Sequence, residues 1–349
     1  MSYKSYIPAF FLFLFFLVSA CSVDRIDTSL AIKPFIEGGE VEKFLTPTYK
    51  TKNVVILVID GPRYSETWGS TTRSLIPVLN RKLAPLGVVS TTFFNLGETF
   101  TNPGHTAITT GNYQKMRNNG TELPDFPSIF QHWSHKYSKE KDAAYIIASK
   151  DKLEILADTN EAAWKGEYRP ATDCGKDGLG NGYRSDAITY RNTFEILSEK
   201  HPGLVLINLK SPDSFGHAND WENYLSAISN SDRFLGELWD FLQNDPFYSQ
   251  KTTLFMTNDH GRHGDGNQNG FVSHGDGCPE CRHLNFLAIG PDFKKNEVLA
   301  IERSQIDIPA TVAELLHFEM PFGKGEVMHE LFNIPTPVTT PFIEDTFNE

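Results

Sequence analysis

Five short segments of this 349-residue chain carry side chains that could do chemistry together. Asp60-Gly61, Asp213-x-x-x-His217, Asp259-His260-Gly261 and His274-Gly275 supply three carboxylates and three imidazoles. Two zinc-type divalent ions need such mixed ligands, about three each, with a position left open for substrate. Read singly, each segment is weak, because an Asp after a strand often caps a helix and a His in a glycine loop is often just exposed. Four of them at successive strand ends are hard to obtain by chance. The fifth segment is Thr99-Phe100-Thr101-Asn102-Pro103-Gly104-His105-Thr106-Ala107. Pro103 suits the first turn of a helix, where its missing N–H is not needed. Thr101 then sits just before the helix, its hydroxyl near free backbone N–H groups, a favourable place for an anionic phosphoryl group. An unactivated Thr is a poor nucleophile and needs a base or a metal to lower its pKa. An ion at Asp60, Asp259 and His260 would meet that need.

These residues need elements to hold them. Asn53-Val54-Val55-Ile56-Leu57-Val58-Ile59 is an apolar, β-branched run that reads as a strand buried on both faces. Similar runs recur at Val88–Thr91, Ala144–Ile147, Leu204–Ile207, Thr253–Met256 and Phe286–Ile289, with helical patterns at Ile188–Lys200 and Trp221–Leu242. Strands alternating with helices predict an α/β domain with a mostly parallel sheet. Ligand sites in such sheets gather at the carboxyl ends of strands, where Asp60, Asp213 and Asp259-His260 stand. The Gly/Asp-rich stretches Asp173–Tyr183 and Gly261–Gly277 read as surface loops.

Met1–Lys4 and the apolar run Ile7–Val18 read as a signal peptide over residues 1–20, too short for a comfortable membrane span. Val18-Ser19-Ala20-Cys21 resembles a bacterial lipobox, which implies cleavage before Cys21, lipidation of its thiol and anchoring in the cell envelope, periplasm or outer membrane. Residues 21–50 then form a lipidated tether, and 51–349 a single catalytic domain. A net charge of -12 without a long Lys/Arg run disfavours a nucleic-acid partner but admits a small phosphorylated substrate, since bound metal reverses the local potential. Three further cysteines are Cys174, Cys278 and Cys281. Cys278-Pro-Glu-Cys281 has the spacing of a redox pair or of half a zinc knuckle. A second CxxC is missing, so the sequence supports structural zinc only weakly. In an oxidising compartment the pair closes on itself, or one member joins Cys174. A structural role is preferred to a catalytic one.

The order strand-Asp-Gly, Thr-x-Pro-Gly-His, Asp-x-x-x-His, Asp-His-Gly and late His-Gly resembles the alkaline phosphatase superfamily, over roughly residues 52 to 292. Its nearest branches by motif are the nucleotide pyrophosphatase/phosphodiesterases and the single-domain bacterial alkaline phosphatases. The resemblance implies that Asp60, Thr101, Asp259 and His260 hold one zinc, that Asp213, His217 and His274 hold the other, and that Thr101 is the nucleophile. His105 matches a helix His of the family that is structural. His274 is chosen over His263 and His283 for its His-Gly pair upstream of the Phe286–Pro291 strand and turn, although the Gly-rich insertion before it and the CxxC after it depart from the family. A sulfatase needs Cys or Ser within C/S-x-P/A-x-R, which Cys21-Ser22-Val23-Asp24-Arg25 fails to match. The superfamily's mutases use Ser in the cytoplasm, against which the signal peptide argues.

Ser149-Lys150-Asp151-Lys152 is similar to a Lys-Asp-Arg segment of the bacterial monoesterases that contacts phosphate; with Lys152 in place of Arg, bidentate contact is lost and charge kept. Asn118 or Asn119 matches a phosphate-contacting Asn of the family, and Asn119 is preferred. The implied activity is a two-zinc phosphoric ester hydrolase, other divalent ions being compatible, with monoesters favoured. A phosphodiesterase, nucleotide pyrophosphatase or phosphonate hydrolase is the alternative on the same site. A non-catalytic binding lipoprotein is the remote one, disfavoured because decayed enzymes usually lose a ligand or the nucleophile.

Overall fold

The computed structural model describes residues 48–333; the signal segment, Cys21 and nearly all of the expected tether lie outside the described residues. The strands are β1 (Asn53–Ile59), β2 (Val88–Phe94), β3 (Ala144–Ala148), β4 (Ala171–Cys174), β5 (Leu204–Leu209), β6 (Thr252–Thr257), β7 (His283–Ile289), β8 (Glu297–Leu299) and β9 (Arg303–Ser304). The helices are α1 (Thr101–Thr110), α2 (Ile129–Tyr137), α3 (Asp186–Lys200), α4 (Ser211–His217), α5 (Trp221–Asn244), α6 (Pro279–Arg282) and α7 (Asp307–Leu316). Among the described residues all nine strands join one sheet in the order β4-β3-β5-β1-β6-β7-β2-β8, with β9 also paired to β2. The sheet is mostly parallel, as the alternation of strands and helices predicts.

β7 is the exception, running antiparallel to both β6 and β2. The chain passes from β6 to β7 through a loop and the short α6, without a helix crossing a face of the sheet, and such a connection returns the strand in the opposite direction. β1 shows why the sheet is buried on both sides. Val54, Ile56 and Val58 enter one core, with Ile108, Ile129, Phe130, Val312 and Leu315 from α1, α2 and α7. Val55, Leu57 and Ile59 enter the other, with Leu197, Ile228, Phe234, Leu235 and Leu238 from α3 and α5. Each fully buried aliphatic side chain contributes about 1.5–3 kcal/mol. A shift of one residue would send every one of them to the wrong core, so register is firmly held.

That register aligns the functional edge. Ile59 pairs with Leu209 of β5 and Val58 with Thr257 of β6, while Ala148 of β3 pairs with Asn208. The residues that follow β3, β5, β1 and β6 therefore leave four adjacent parallel strands at the same carboxyl edge.

Candidate active site

Asp60 and Asp259-His260 emerge from neighbouring strands and all three are fully buried. One ligand atom from each lies within 4.8 Å of the other two. His260 Nδ1 donates to the Gly261 carbonyl at 2.9 Å, which leaves Nε2 as a bare lone pair. Asp60 Oδ1, Asp259 Oδ2 and His260 Nε2 are buried without a hydrogen-bond partner. Burial lowers the His260 pKa to about 3 and so keeps the ring neutral. Burial, with the Asp259 charge and less strongly that of Asp213, pushes Asp60 well above the usual carboxylate range against the pull of Lys150. Orphaned acceptors at this density call for a cation.

A second group stands beside the first. Asp213 lies in the first turn of α4, and its ligand atoms, with those of His260 and His274, fall within 4.8 Å of one another. His274 donates from Nδ1 to the Thr99 carbonyl at 2.8 Å and stacks on His260 with ring centroids 3.8 Å apart. His217, one turn beyond Asp213, is 52% exposed, with Nε2 3.0 Å from His274 Nε2 and 3.3 Å from Asp213 Oδ1. Burial acts to raise Asp213, yet Lys150, His217 and His274 outweigh it and hold the carboxyl well below its usual range.

Lys150, directly after β3, joins the two groups. Its Nζ lies 2.8 Å from Asp60 Oδ2, 2.7 Å from Asp213 Oδ2 and 3.0 Å from Thr101 Oγ1. Burial opposes its charge, but Asp213, Asp60 and Asp259 together keep its pKa above the ordinary lysine value. Lys152 turns elsewhere, donating to the Asn118 carbonyl oxygen at 3.0 Å and to Asn118 Oδ1 at 2.9 Å. Asn118 Oδ1 also accepts from the Asn102 amide in the first turn of α1. Asn119, the candidate preferred from the sequence, is exposed, and its Oδ1 accepts from the Thr121 amide and hydroxyl. Gly120 follows with φ of 80°, and this left-handed residue turns the chain so that Asn118 faces inward.

Thr101 is buried and is the first residue of α1, with Phe100 as the N-cap, so the helix begins one residue earlier than Pro103 suggested. A Cβ on Gly104 would lie 2.5 Å from the Asp259 carbonyl oxygen, so the helix rests on the Asp259 backbone only because residue 104 has no side chain. His105 uses both ring nitrogens inside the protein, accepting from Asn208 Nδ2 at 3.1 Å and donating to the Thr101 carbonyl at 2.9 Å. His263 belongs to neither of these ligand groups, and His283 donates to the Thr91 carbonyl at 2.8 Å.

Two residues escaped sequence reasoning. Arg262 is fully buried, pairs with Asp213 Oδ1 at 2.5 Å and donates to the Phe271 and Val272 carbonyls. Asp186 accepts from Ser149 Oγ and from the Lys210 and Ser211 amides, tying the approach to Lys150 to the start of α4. Arg262 reads as one more charged residue in a glycine-rich loop, and its burial carried no signal. The first-turn position of Asp186 reads as a helix cap.

A family profile described as the Metalloenzyme superfamily matches residues 126–320, more than half of the chain. This chain belongs to the Metalloenzyme superfamily. Among curated proteins, a phosphopentomutase of Desulfitobacterium hafniense is 32% identical over 128 residues, covering 36% of this chain. The match spans only 29% of that relative's length. A solved alkaline phosphatase superfamily protein from Vibrio parahaemolyticus superposes with a TM-score of 0.59 at 19% identity, over 80% of this chain and 70% of that one. Murine ectonucleotide pyrophosphatase/phosphodiesterase 5 gives 0.54 at 17% identity, over 77% of this chain and 96% of that one. At these identities the structural likeness is one of fold, and it places the chain among alkaline-phosphatase-like α/β proteins. The superfamily implies divalent metal ions, and the residues fit them. Three orphaned buried acceptors, one of them the Nε2 of a neutral imidazole, converge at the strand ends, with a second carboxylate-imidazole group alongside.

Proposed function

We propose that this metal-dependent phosphoryl-transfer enzyme is a zinc phosphoric monoester hydrolase acting through phospho-Thr101. The observation that carries the reading is the position of Thr101: buried, first in α1, its Oγ1 3.0 Å from an ammonium that also touches Asp60 and Asp213. Asp60, Asp259 and His260 with Thr101 would hold one ion, and Asp213, His217 and His274 the other. Divalent ions there supply a lowered pKa for a bound hydroxyl and neutralise charge on phosphoryl and leaving-group oxygens. Lys150 donates a hydrogen bond that favours the ionised form of Thr101 over the alcohol. Thr101 Oγ1, its proton released to solvent, attacks phosphorus in line as the bond from phosphorus to the leaving oxygen breaks. That oxygen takes a proton from solvent and departs as the alcohol, and water then cleaves the Thr101–phosphorus ester, releasing phosphate and restoring the Thr101 hydroxyl. Lys152, held by Asn118 above the first turn of α1, supplies charge for the third oxygen of a monoester, which a diester lacks.

The supporting experiment is a panel of p-nitrophenyl phosphate, bis-p-nitrophenyl phosphate and p-nitrophenyl sulfate, assayed as purified, after chelation and with zinc restored. Monoester turnover lost on chelation and regained with zinc is the expected result. Full turnover in a chain shown by elemental analysis to be metal-free would sink it, and a diester preference would move the phosphodiesterase reading ahead.

A further inference from the structure

The Cys278-Pro-Glu-Cys281 motif takes no part in the reaction above, yet it does not stand alone. His263, Asp276, Cys278 and Cys281 each bring one ligand atom to a cluster in which all four lie within 4.8 Å of one another. The cluster is separate in membership from the two strand-end groups, whose ligands are Asp60, Asp213, Asp259, His260 and His274. Its geometry resembles a ligand sphere more than chance proximity. His263 donates from Nδ1 to the Gln268 carbonyl at 2.7 Å, which leaves the lone pair on Nε2. Nε2 is buried without a hydrogen-bond partner, 3.1 Å from Asp276 Oδ1. An imidazole oriented by a carbonyl at its other nitrogen is the usual arrangement of a metal ligand. Cys278 caps the short α6 with Pro279 next in line, and its Sγ accepts from the Cys281 amide at 3.3 Å. That amide-to-sulfur bond brings both sulfurs to one side of the turn and would stabilise a thiolate. Asp276 Oδ1 accepts from the Cys278 amide at 3.0 Å, which holds the carboxylate against the same turn.

We propose that His263, Asp276, Cys278 and Cys281 form a structural zinc site. Two sulfurs, one nitrogen and one oxygen make a closed four-ligand set, which suits zinc and gives a hard cation such as calcium or magnesium only one of its preferred donors. The site joins the two loops that carry catalytic ligands. His263 follows Arg262, the partner of Asp213, and lies three residues beyond His260. Asp276 lies two residues beyond His274, at the far end of the Gly264–Gly277 loop. Backbone bonds already run between these segments, from the Gly261 amide to the Cys281 carbonyl and from the His263 amide to the Ser273 carbonyl. An ion would close the loop at its base and fix the approach of His274 to the pocket.

The test uses the purified full chain and does not depend on which reaction it catalyses. Wild-type protein should hold one metal equivalent per chain more than Cys278→Ser. Cobalt-exchanged wild type should show a sulfur-to-cobalt charge-transfer band in the near ultraviolet. That band should vanish in Cys278→Ser and persist in the double variant Asp60→Asn, Asp213→Asn, which damages only the strand-end groups. Should Cys278→Ser fail to fold, the cobalt spectrum of the wild type decides by itself. Equal metal content in wild type and Cys278→Ser would overturn the proposal. So would a wild-type cobalt spectrum without a thiolate band, or thiol counting on denatured, unreduced chain that finds Cys278 and Cys281 joined to each other.

Discussion

The two halves of the pocket share His260 but are built to different standards. The inner half, Asp60 and Asp259-His260, sits at the tips of two hydrogen-bonded central strands and is sealed from solvent. Gln305 and Asn95 hold the Asp259 carbonyl from the far side, each at 2.8 Å. The outer half rests on the seven-residue α4 and a glycine-rich loop, and its His217 is 52% exposed. On the proposed reaction, a site whose inner ligands belong to the sheet can hold the nucleophile rigidly, while ligands on a short helix and a loop can adjust as leaving group, water and product come and go. The contrast teaches that one pocket can separate precision from access, and four experiments bear on it.

The largest effect is expected at Thr101, the proposed nucleophile beside the inner half. Thr101→Ala should lower monoester turnover by several orders of magnitude, ~10³-fold or more, while metal content and fold by circular dichroism stay unchanged. Near-normal turnover would show that the inner half holds something other than the attacking group.

The next experiment compares the halves directly. Asp259→Asn should remove an ion from the sealed half, and excess zinc should fail to restore it. His217→Ala should weaken binding at the open half and be rescued by added zinc, as read by metal analysis and turnover on titration. Equal rescue of the two variants would abolish the distinction between a rigid and an adjustable half.

A smaller effect concerns the substrate. Lys152→Ala should lose about 1.5–3 kcal/mol of transition-state binding for a monoester, roughly tenfold to a hundredfold in kcat/KM. Bis-p-nitrophenyl phosphate should suffer much less. Equal losses on both esters would assign Lys152 to the pocket's architecture rather than to the third phosphoryl oxygen.

The smallest is a shift along the pH axis. Burial first, and then the Lys150 charge, lower Lys152 to about 8. Its ammonium is therefore present below that pH and is lost as pH rises through it, so monoester kcat/KM should decline on the alkaline side. Lys152→Arg keeps its charge across this range and should move the decline to higher pH. An unchanged alkaline limb would show that the titration of Lys152 does not govern substrate capture.

How much of this was legible in the sequence depended on whether the signal was local. β1 and β6 announced themselves as apolar β-branched runs, and an Asp or Asp-His at the end of such a run needs no tertiary information to be placed. β4 escaped because Ala-Thr-Asp-Cys has neither length nor period, and the direction of β7 escaped because a period of two is the same in both directions. Asn118 and Asn119 are identical neighbours, and only the backbone turn at Gly120 decides which of them faces Lys152. Arg262 looks like any charged residue in a glycine-rich loop. Its burial follows from Asp213, some fifty positions away in the chain, which no local pattern can report. Cys278-x-x-Cys281 was visible as half a motif, but His263 was weighed only as a rival to His274, and Asp276 carried no signal within a glycine-rich loop.

The contact between Gly104 and the Asp259 carbonyl has a mechanical consequence. With no side chain to act as a cushion, α1 is seated directly on the end of β6, and the hydroxyl of Thr101 and the carboxylate of Asp259 ride on one body. Thermal breathing of the domain is then expected to move the proposed attacking atom and the proposed metal ligand together, with little change in their separation. A single methyl group at position 104, placed 2.5 Å from that carbonyl, would act as a shim: it would lift the helix, lengthen the gap between the two atoms, and turn a fixed distance into a fluctuating one.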